Sequence, residues 1–341
     1  MKKLLLTAAF VTVSGAAQAE GQLSVYHWFE YIPQELVDKF EAETGIEVTI
    51  DTYDSNEAML ASLKAGKLGQ YDVAVPADFM VKIMAEFGML DTFTPAEMTN
   101  LGNIAPQWLD VPFDPGRTHS IPYQWGSTSF AVSRDVYTGD ISSLATIFNP
   151  PPELQGKINV LDSQNEVLIL GSLYLGIPQC STDREQLKAL SDMLVNAKQY
   201  WASFGSDTAK DVMVSGDAAA GMIYNGFSAK ARAEGANIEY VYPKEGHVLW
   251  MDNVVLLADA PNRDNAIKFM NFLLVPENAA AVTNYAAYTS GVAGVEPFLD
   301  EAIRTSPENN PPADATPGQF AEVCAPEVQA LYDAIWTNLK K

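Results

Sequence analysis

The hexapeptide Tyr26-His27-Trp28-Phe29-Glu30-Tyr31 sets aromatic rings on both sides of a carboxylate. That pairing suits an organic cation, because each ring face attracts an ammonium by about 0.5–2 kcal/mol. A carboxylate taken out of water needs a positive partner as well. Leu23 and Val25 begin a strand-like run ahead of the hexapeptide and Pro33 opens a helical pattern behind it. The cluster therefore falls at the carboxyl end of a strand, where open α/β sheets hold their ligands. An equally simple reading makes Trp28 and Tyr31 a cap on a hydrophobic core. The pattern recurs, however. Asp78 and Phe79 follow a second predicted strand, Trp250 and Asp252 lie on a third, and Glu166 and Tyr224 stand at the ends of two more. An acid at a helix start can also be a cap, a reading strongest for Asp162, Ser163 and Glu166.

Other chemistries find less support. The chain has no dinucleotide fingerprint, phosphate-binding loop, HExxH, GxSxG or EF-hand sequence. His27, His119 and His247 are far apart, so a hydrolase would have to assemble its base and nucleophile, for example His27 and Ser228, in space. No closely spaced histidine and carboxylate set suggests a metal, although Tyr285 and Tyr288 leave a ferric site conceivable. No cofactor and no catalytic residue are expected. A carrier of anions or amino acids would need arginine or helix amino termini aimed at a carboxylate, and none of the aromatic and acidic stretches contains an arginine.

The elements that must position these residues alternate. Residues 33–44 carry Leu36, Val37 and Phe40 on one helical face, Gly45 ends the pattern, and residues 46–50 alternate as a strand. A helix over 56–65 is broken by Gly66 and Gly69 before a buried strand at 71–76. Residues 101–116 read as irregular, and 120–132 as one long extended segment interrupted by Gly126, the first crossing between lobes. A second set follows, with strands at 158–161, 219–224 and 238–243 and helices near 142–148, 183–195 and 207–214. Residues 245–256 are the candidate return crossing. Helices at 262–274, 276–285 and 326–339 complete the chain, with a loop at 307–317. Alternating strands and helices imply an α/β fold with mainly parallel sheets.

Lys2, Lys3, the apolar run 4–13 and Ala17-Gln18-Ala19 read as a secretory signal cleaved after Ala19. No later stretch is long and apolar enough to span a bilayer. Glu20, not a cysteine, follows the cut, so a soluble product released to the periplasm or the medium is expected. The 341 residues, 48% of them hydrophobic, allow about two domains. The formal charge of -22 becomes -24 when the two signal lysines leave, which makes nucleic acid and anionic membrane poor partners. Cys180 and Cys324 could form one disulfide in an oxidising compartment, but the sequence does not show that they meet.

Several segments, in order along the mature chain, are together similar to one family. They are the hexapeptide itself, Tyr53-Asp54-Ser55-Asn56-Glu57, Tyr71-Asp72-Val73-Ala74-Val75-Pro76, Ser120-Ile121-Pro122-Tyr123-Gln124-Trp125-Gly126, Gly221-Met222-Ile223-Tyr224-Asn225-Gly226, and Tyr242-Pro243-Lys244-Glu245-Gly246 with Trp250-Met251-Asp252. They resemble the periplasmic spermidine/putrescine-binding proteins of polyamine ABC importers. The resemblance implies a two-lobe periplasmic-binding-protein fold of type II, each lobe a mixed, mainly parallel sheet flanked by helices and hinged by crossing strands. It places lobe 1 at 20–127 and 253–302, lobe 2 at 128–252 and 303–341, and a polyamine between them. It implies a monomer that delivers its ligand to a membrane permease and catalyses nothing. By position, Trp28, Glu30 and Tyr31 form one wall, Phe79 takes the place of a tyrosine, and Glu166 and Asp252 meet amino groups. Trp250 and Tyr288 sandwich the methylenes, and Tyr224 stands where tryptophan is usual. Phe29 replaces a small hydroxyl residue, Ala77 a serine with Asp78 just after it, and Ser163 an aspartate, while Glu322 falls near a glutamine. A quaternary ammonium carrier remains the alternative within binding proteins; it would favour a closed aromatic cage with fewer carboxylates.

Overall fold

The computed structural model describes residues 21–341; the expected signal, residues 1–19, lies outside the described residues. Among these the strands are β1 (Gly21–Trp28), β2 (Ile46–Tyr53), β3 (Val73–Ala74), β4 (Ser120–Ser133), β5 (Ile158–Val160), β6 (Trp201–Phe204), β7 (Ala220–Tyr224), β8 (Ile238–Val241), β9 (Val248–Leu256), β10 (Thr289–Ser290) and β11 (Gln319–Phe320). They hydrogen-bond in the order β2-β1-β3-β9-β4-β7-β5-β6, with β10 and β8 on β4 and β11 on β9.

At each end of this path sits a parallel trio, β2-β1-β3 and β6-β5-β7. Parallel neighbours need crossover connections, usually helical. The helix Gln34–Thr44 supplies the one between β1 and β2, burying Leu36, Val37 and Phe40, and Gly45 closes it at φ 69° with its N–H on the Glu41 carbonyl. That left-handed cap is the conformation glycine adopts without strain. The helix Gln164–Leu175 follows β5 and buries an almost continuous run from Val167 to Ser172.

The hydrophobic core is divided accordingly. Leu23, Phe40, Ile121, Val254 and Phe269 belong to one cluster, with Met59, Met80 and Met84 in a satellite beside it. Phe130, Ile158, Leu170, Leu190, Ile223 and Val328 form the other. Two long strands join them. β4 enters from the first core at Ile121 and reaches the second at Phe130, and β9 returns antiparallel beside it, from Val248 to Val254. They occupy the two stretches read as crossings. Gly126 does not interrupt β4 as expected: the strand continues through it, and its irregularity lies between Pro122 and Gln124.

A third connection runs from Leu299, on the first core, to Ala321, on the second. Its anchor is Glu308, which is buried and accepts hydrogen bonds from Arg232 Nε at 2.6 Å and Nη2 at 3.0 Å, Ser306 Oγ at 2.6 Å and Ser228 Oγ at 3.3 Å. The Glu308 carbonyl takes the Tyr242 hydroxyl at 2.6 Å. Further on, Cys180 and Cys324 form a disulfide across 144 residues, a closure whose chain-entropy contribution is about 5 kcal/mol in the simplest treatment.

Because Glu308 pairs with Arg232 and accepts two hydroxyls at once, Glu308→Ala is expected to lower unfolding free energy by about 2–3 kcal/mol. That lies at or below the low end for a buried pair, since water still reaches Arg232. Urea denaturation measures it, and an unchanged midpoint would remove Glu308 as the anchor.

Candidate ligand-binding cleft

The side chains that could do chemistry converge where the two cores meet. Tyr31 follows β1, Asp78 opens the helix Asp78–Glu86 after β3, and Glu166 lies in the first turn of the helix after β5. Tyr224 ends β7, Tyr288 directly precedes β10, and Trp250 and Asp252 come from β9. The carboxyl ends of the parallel strands thus meet the crossing strands at one place, as a switch-point site requires.

The pleat of β9 decides which of its residues join. Side chains alternate across a strand, so Trp250 and Asp252 share one face and Met251 and Asn253 the other. That second face is held by Arg117, whose guanidinium is almost wholly buried. Its Nη1 donates to Asn253 Oδ1 at 2.7 Å and Ser120 Oγ at 3.0 Å, its Nε to the Trp108 carbonyl at 2.8 Å, and its Nη2 lies 3.2 Å from the Met251 sulfur. Burial lowers the Arg117 pKa to about 10, and the charge of Asp114 opposes that shift. Asp114 in turn accepts from the backbone N–H groups of Thr118, His119 and Ser120.

Rings wall the other face. Trp250 meets Tyr288 edge to face at 4.8 Å between centroids and Tyr224 at 6.1 Å, and Tyr31 meets Tyr288 at 5.9 Å. Two glycines make this packing possible by having no side chain: a Cβ on Gly226 would stand 2.5 Å from Tyr288 Cε1, and one on Gly126 2.5 Å from Trp250 Cζ2. Tyr31 donates its hydroxyl to Asp252 Oδ2 at 3.0 Å and is itself held through its carbonyl by the Tyr123 hydroxyl at 2.8 Å. The indole of Trp28 packs on Tyr53 at 4.6 Å and donates to the Val75 carbonyl at 2.8 Å.

Three acids stand among these rings. Asp78 is 2% exposed, with Oδ1 accepting its neighbour Phe79 N–H at 2.6 Å and Oδ2 the Met251 N–H at 3.2 Å. Asp252 is 8% exposed. Glu166 is half-buried and accepts the Ser163 hydroxyl. Burial pushes Asp78 up to about 8, with the charges of Asp252 and Glu166 adding to it and the two N–H donors opposing. Burial likewise pushes Asp252 up to about 7, against the Tyr31 hydrogen bond and with the charge of Glu166. Glu166 is raised by burial too, and by Glu57 across the junction. Among the described residues no ion pair involves any of the three. An acidic group of this kind, dry and without a cation, favours whatever brings positive charge to it.

Not every expected residue joins. Glu30 is exposed, in a turn at φ 48°, and its charge acts on Lys230 and on the neutral phenol of Tyr285. Glu322 is exposed in the segment beside the disulfide, its N–H on the Gln179 side chain. Phe79 is half-buried against the first lobe's satellite cluster, and Phe29 is 70% exposed. Conversely, Tyr53, Tyr123 and Glu57, which enter the sequence reading only as parts of the family-like segments, all lie within reach of these charges. The alternation of Ile121 and Tyr123 along a crossing strand was the available signal for Tyr123.

Residues 35–311 match the profile of a family described as bacterial extracellular solute-binding protein. The chain is 33% identical to the spermidine/putrescine-binding periplasmic protein of Escherichia coli K12, over 99% of this chain and 98% of that one. It is 32% identical to the putrescine-binding periplasmic protein SpuD of Pseudomonas aeruginosa, over 99% and 98%. Among solved structures, the spermidine/putrescine ABC transporter substrate-binding protein PotD of Streptococcus pneumoniae superposes with a TM-score of 0.83 at 29% identity, covering 94% of this chain and 99% of the other.

The raised acids carry a sign for stability. An aspartate whose folded pKa lies above its unfolded value stabilises fully below about 4 and loses that contribution as pH rises through the folded value. The gain in melting temperature from Asp78→Asn in the ligand-free protein should therefore grow between pH 5 and pH 8. Each kcal/mol relieved corresponds to roughly 2–4 °C. Differential scanning calorimetry of both proteins measures it; a gap independent of pH would mean that Asp78 is charged throughout.

Proposed function

The chain belongs to the bacterial extracellular solute-binding proteins, and we propose that its ligand is a linear diamine or polyamine of the putrescine and spermidine class. The observation that carries this is the group Asp78, Asp252 and Glu166, acids buried among rings without a cation of the protein's own. A polyamine supplies ammonium groups spaced along an alkyl chain. The ammonium ends meet Asp252 and Glu166 through charge-assisted hydrogen bonds. Trp250, Tyr288 and Tyr224 cover the methylenes, each worth about 0.8 kcal/mol on burial. The relatives named for spermidine and putrescine fit the same reading.

In this reading the lobes, 20–127 with 253–302 and 128–252 with 303–341, close on the amine about β4 and β9. The closed form is then presented, as a monomer, to the permease of an ABC importer outside the cytoplasm. The protein binds and does not catalyse. His27, which packs on Tyr31 and Tyr123, accepts the Trp28 N–H at 2.8 Å and burial lowers it to about 4, so it is a poor base. Ser228 is spent on Glu308. A ferric site would need phenolates, whereas burial and the Asp252 charge raise Tyr288. A quaternary ammonium has no N–H for the acids to accept from, which favours primary amines.

Calorimetric titration of the mature protein with putrescine, spermidine, choline and glutamate tests this. One-to-one binding of the amines alone is expected. Asp252→Ala and Glu166→Ala should each weaken it at least tenfold, and Trp250→Ala should weaken it with the fold retained. Tighter binding of choline or glutamate would contradict the reading.

A further inference from the structure

The residue after Ala77 is an acid, Asp78, and the structure puts it next to the crossing strand. Ala77 bridges Asp252 in an antiparallel pair. Asp78, one residue on, takes the Met251 N–H with Oδ2, one residue before Asp252. The two carboxylates therefore hang from adjoining backbone positions of β9 and the helix Asp78–Glu86, both more than nine-tenths buried. We propose that Asp78 and Asp252 form a two-carboxylate seat for one terminal primary ammonium, and that the seat gives up about one proton to solvent when the amine enters. This rests on the polyamine reading above and adds a site preference and a pH dependence to it.

The charge of Asp252 reaches Asp78 and disfavours its ionisation, so without a counter-charge the pair retains about one proton. The groups around them supply no cation. From the segment after β1 comes the hydroxyl of Tyr31, from β2 Tyr53, from β4 Tyr123, from the segment before β10 Tyr288, and from the second lobe Glu166. The four phenols are raised above their ordinary pKa and stay neutral, while Glu166 adds negative charge. The nearest guanidinium, Arg117, is on the opposite face of β9 and is occupied by Asn253, Ser120 and Trp108. Burial, with the charges of Asp252 and Glu166, holds Asp78 near 8, and burial with the charge of Glu166 holds Asp252 near 7, so at pH 7.5 the empty pair keeps about one proton.

An arriving ammonium, with three N–H donors, replaces that proton as the positive charge. The carboxyl proton leaves to buffer, both aspartates become anions, and the diamine keeps its own protons because its amines titrate near lysine's value of about 10.4. Affinity must then rise with pH, by up to about tenfold per unit where one proton is released. A secondary or quaternary nitrogen offers fewer donors to two acceptors, so the seat favours a primary end.

The test is calorimetry of the mature protein with putrescine at pH 7.5 in two buffers of different ionisation enthalpy, which counts protons directly. About one proton released per putrescine is expected at pH 7.5, with affinity falling at least about tenfold from pH 7.5 to pH 6.5. Asp78→Asn keeps an oxygen for the Phe79 N–H and should cut the release to less than half. Binding with a buffer-independent enthalpy in the wild type, or an unchanged proton count in Asp78→Asn, overturns the seat and leaves the polyamine reading standing. Failure of putrescine and spermidine to bind at any pH overturns that reading and the seat together.

Discussion

Burial of Asp78, Asp252 and Glu166 without a cation of the protein's own is the constraint that the rest of the junction serves. Folding brings these acids together from three separated parts of the chain and removes much of their water, which raises all three. Left to itself such a group opposes folding. It persists because each donor available to it is fixed by something larger: the Met251 N–H by the ladder of β9, the Tyr31 hydroxyl by Tyr123, and the Ser163 hydroxyl by the start of a helix. The site is thus built from neutral donors on rigid elements, and the positive charge is left for a ligand to bring.

The crossing strands set the geometry. One strand, β9, divides its side chains between Trp250 and Asp252 on one face and Met251 and Asn253 on the other, where Arg117 pins them. The cation that could have quenched Asp252 is thereby committed to the opposite face. Gly126 and Gly226 let the rings of Trp250 and Tyr288 approach the backbone. The third connection, anchored at Glu308, leaves the junction supported by three chain segments.

Much of this was legible in the residues. Alternation along 46–50, apolar runs ended by aromatic and acidic residues, and two long extended segments announced the α/β lobes, while the family resemblance grouped Trp250, Asp252, Glu166 and Tyr31 in one site. What local pattern could not give was tertiary distance. Glu30 adjoins Tyr31 in sequence, yet Glu30 is exposed in a turn near Lys230 while Tyr31 is buried on Asp252. Glu322 sits by the disulfide, and only the folded chain shows that Cys180 and Cys324 meet. The strand β6 and the helix Asn225–Ala233 escaped for local reasons. The first has four residues with two exposed, and the second begins directly where β7 ends, with no breaker between them.

A crystal structure of the mature protein with putrescine tests most directly whether the buried carboxylates take the ammonium groups. Ammonium nitrogens within about 3 Å of the carboxylates of Asp252 and Glu166 are expected, with the methylenes against Trp250 and Tyr288. A diamine bound elsewhere, or bound here with those carboxylates turned away from its nitrogens, would contradict the account.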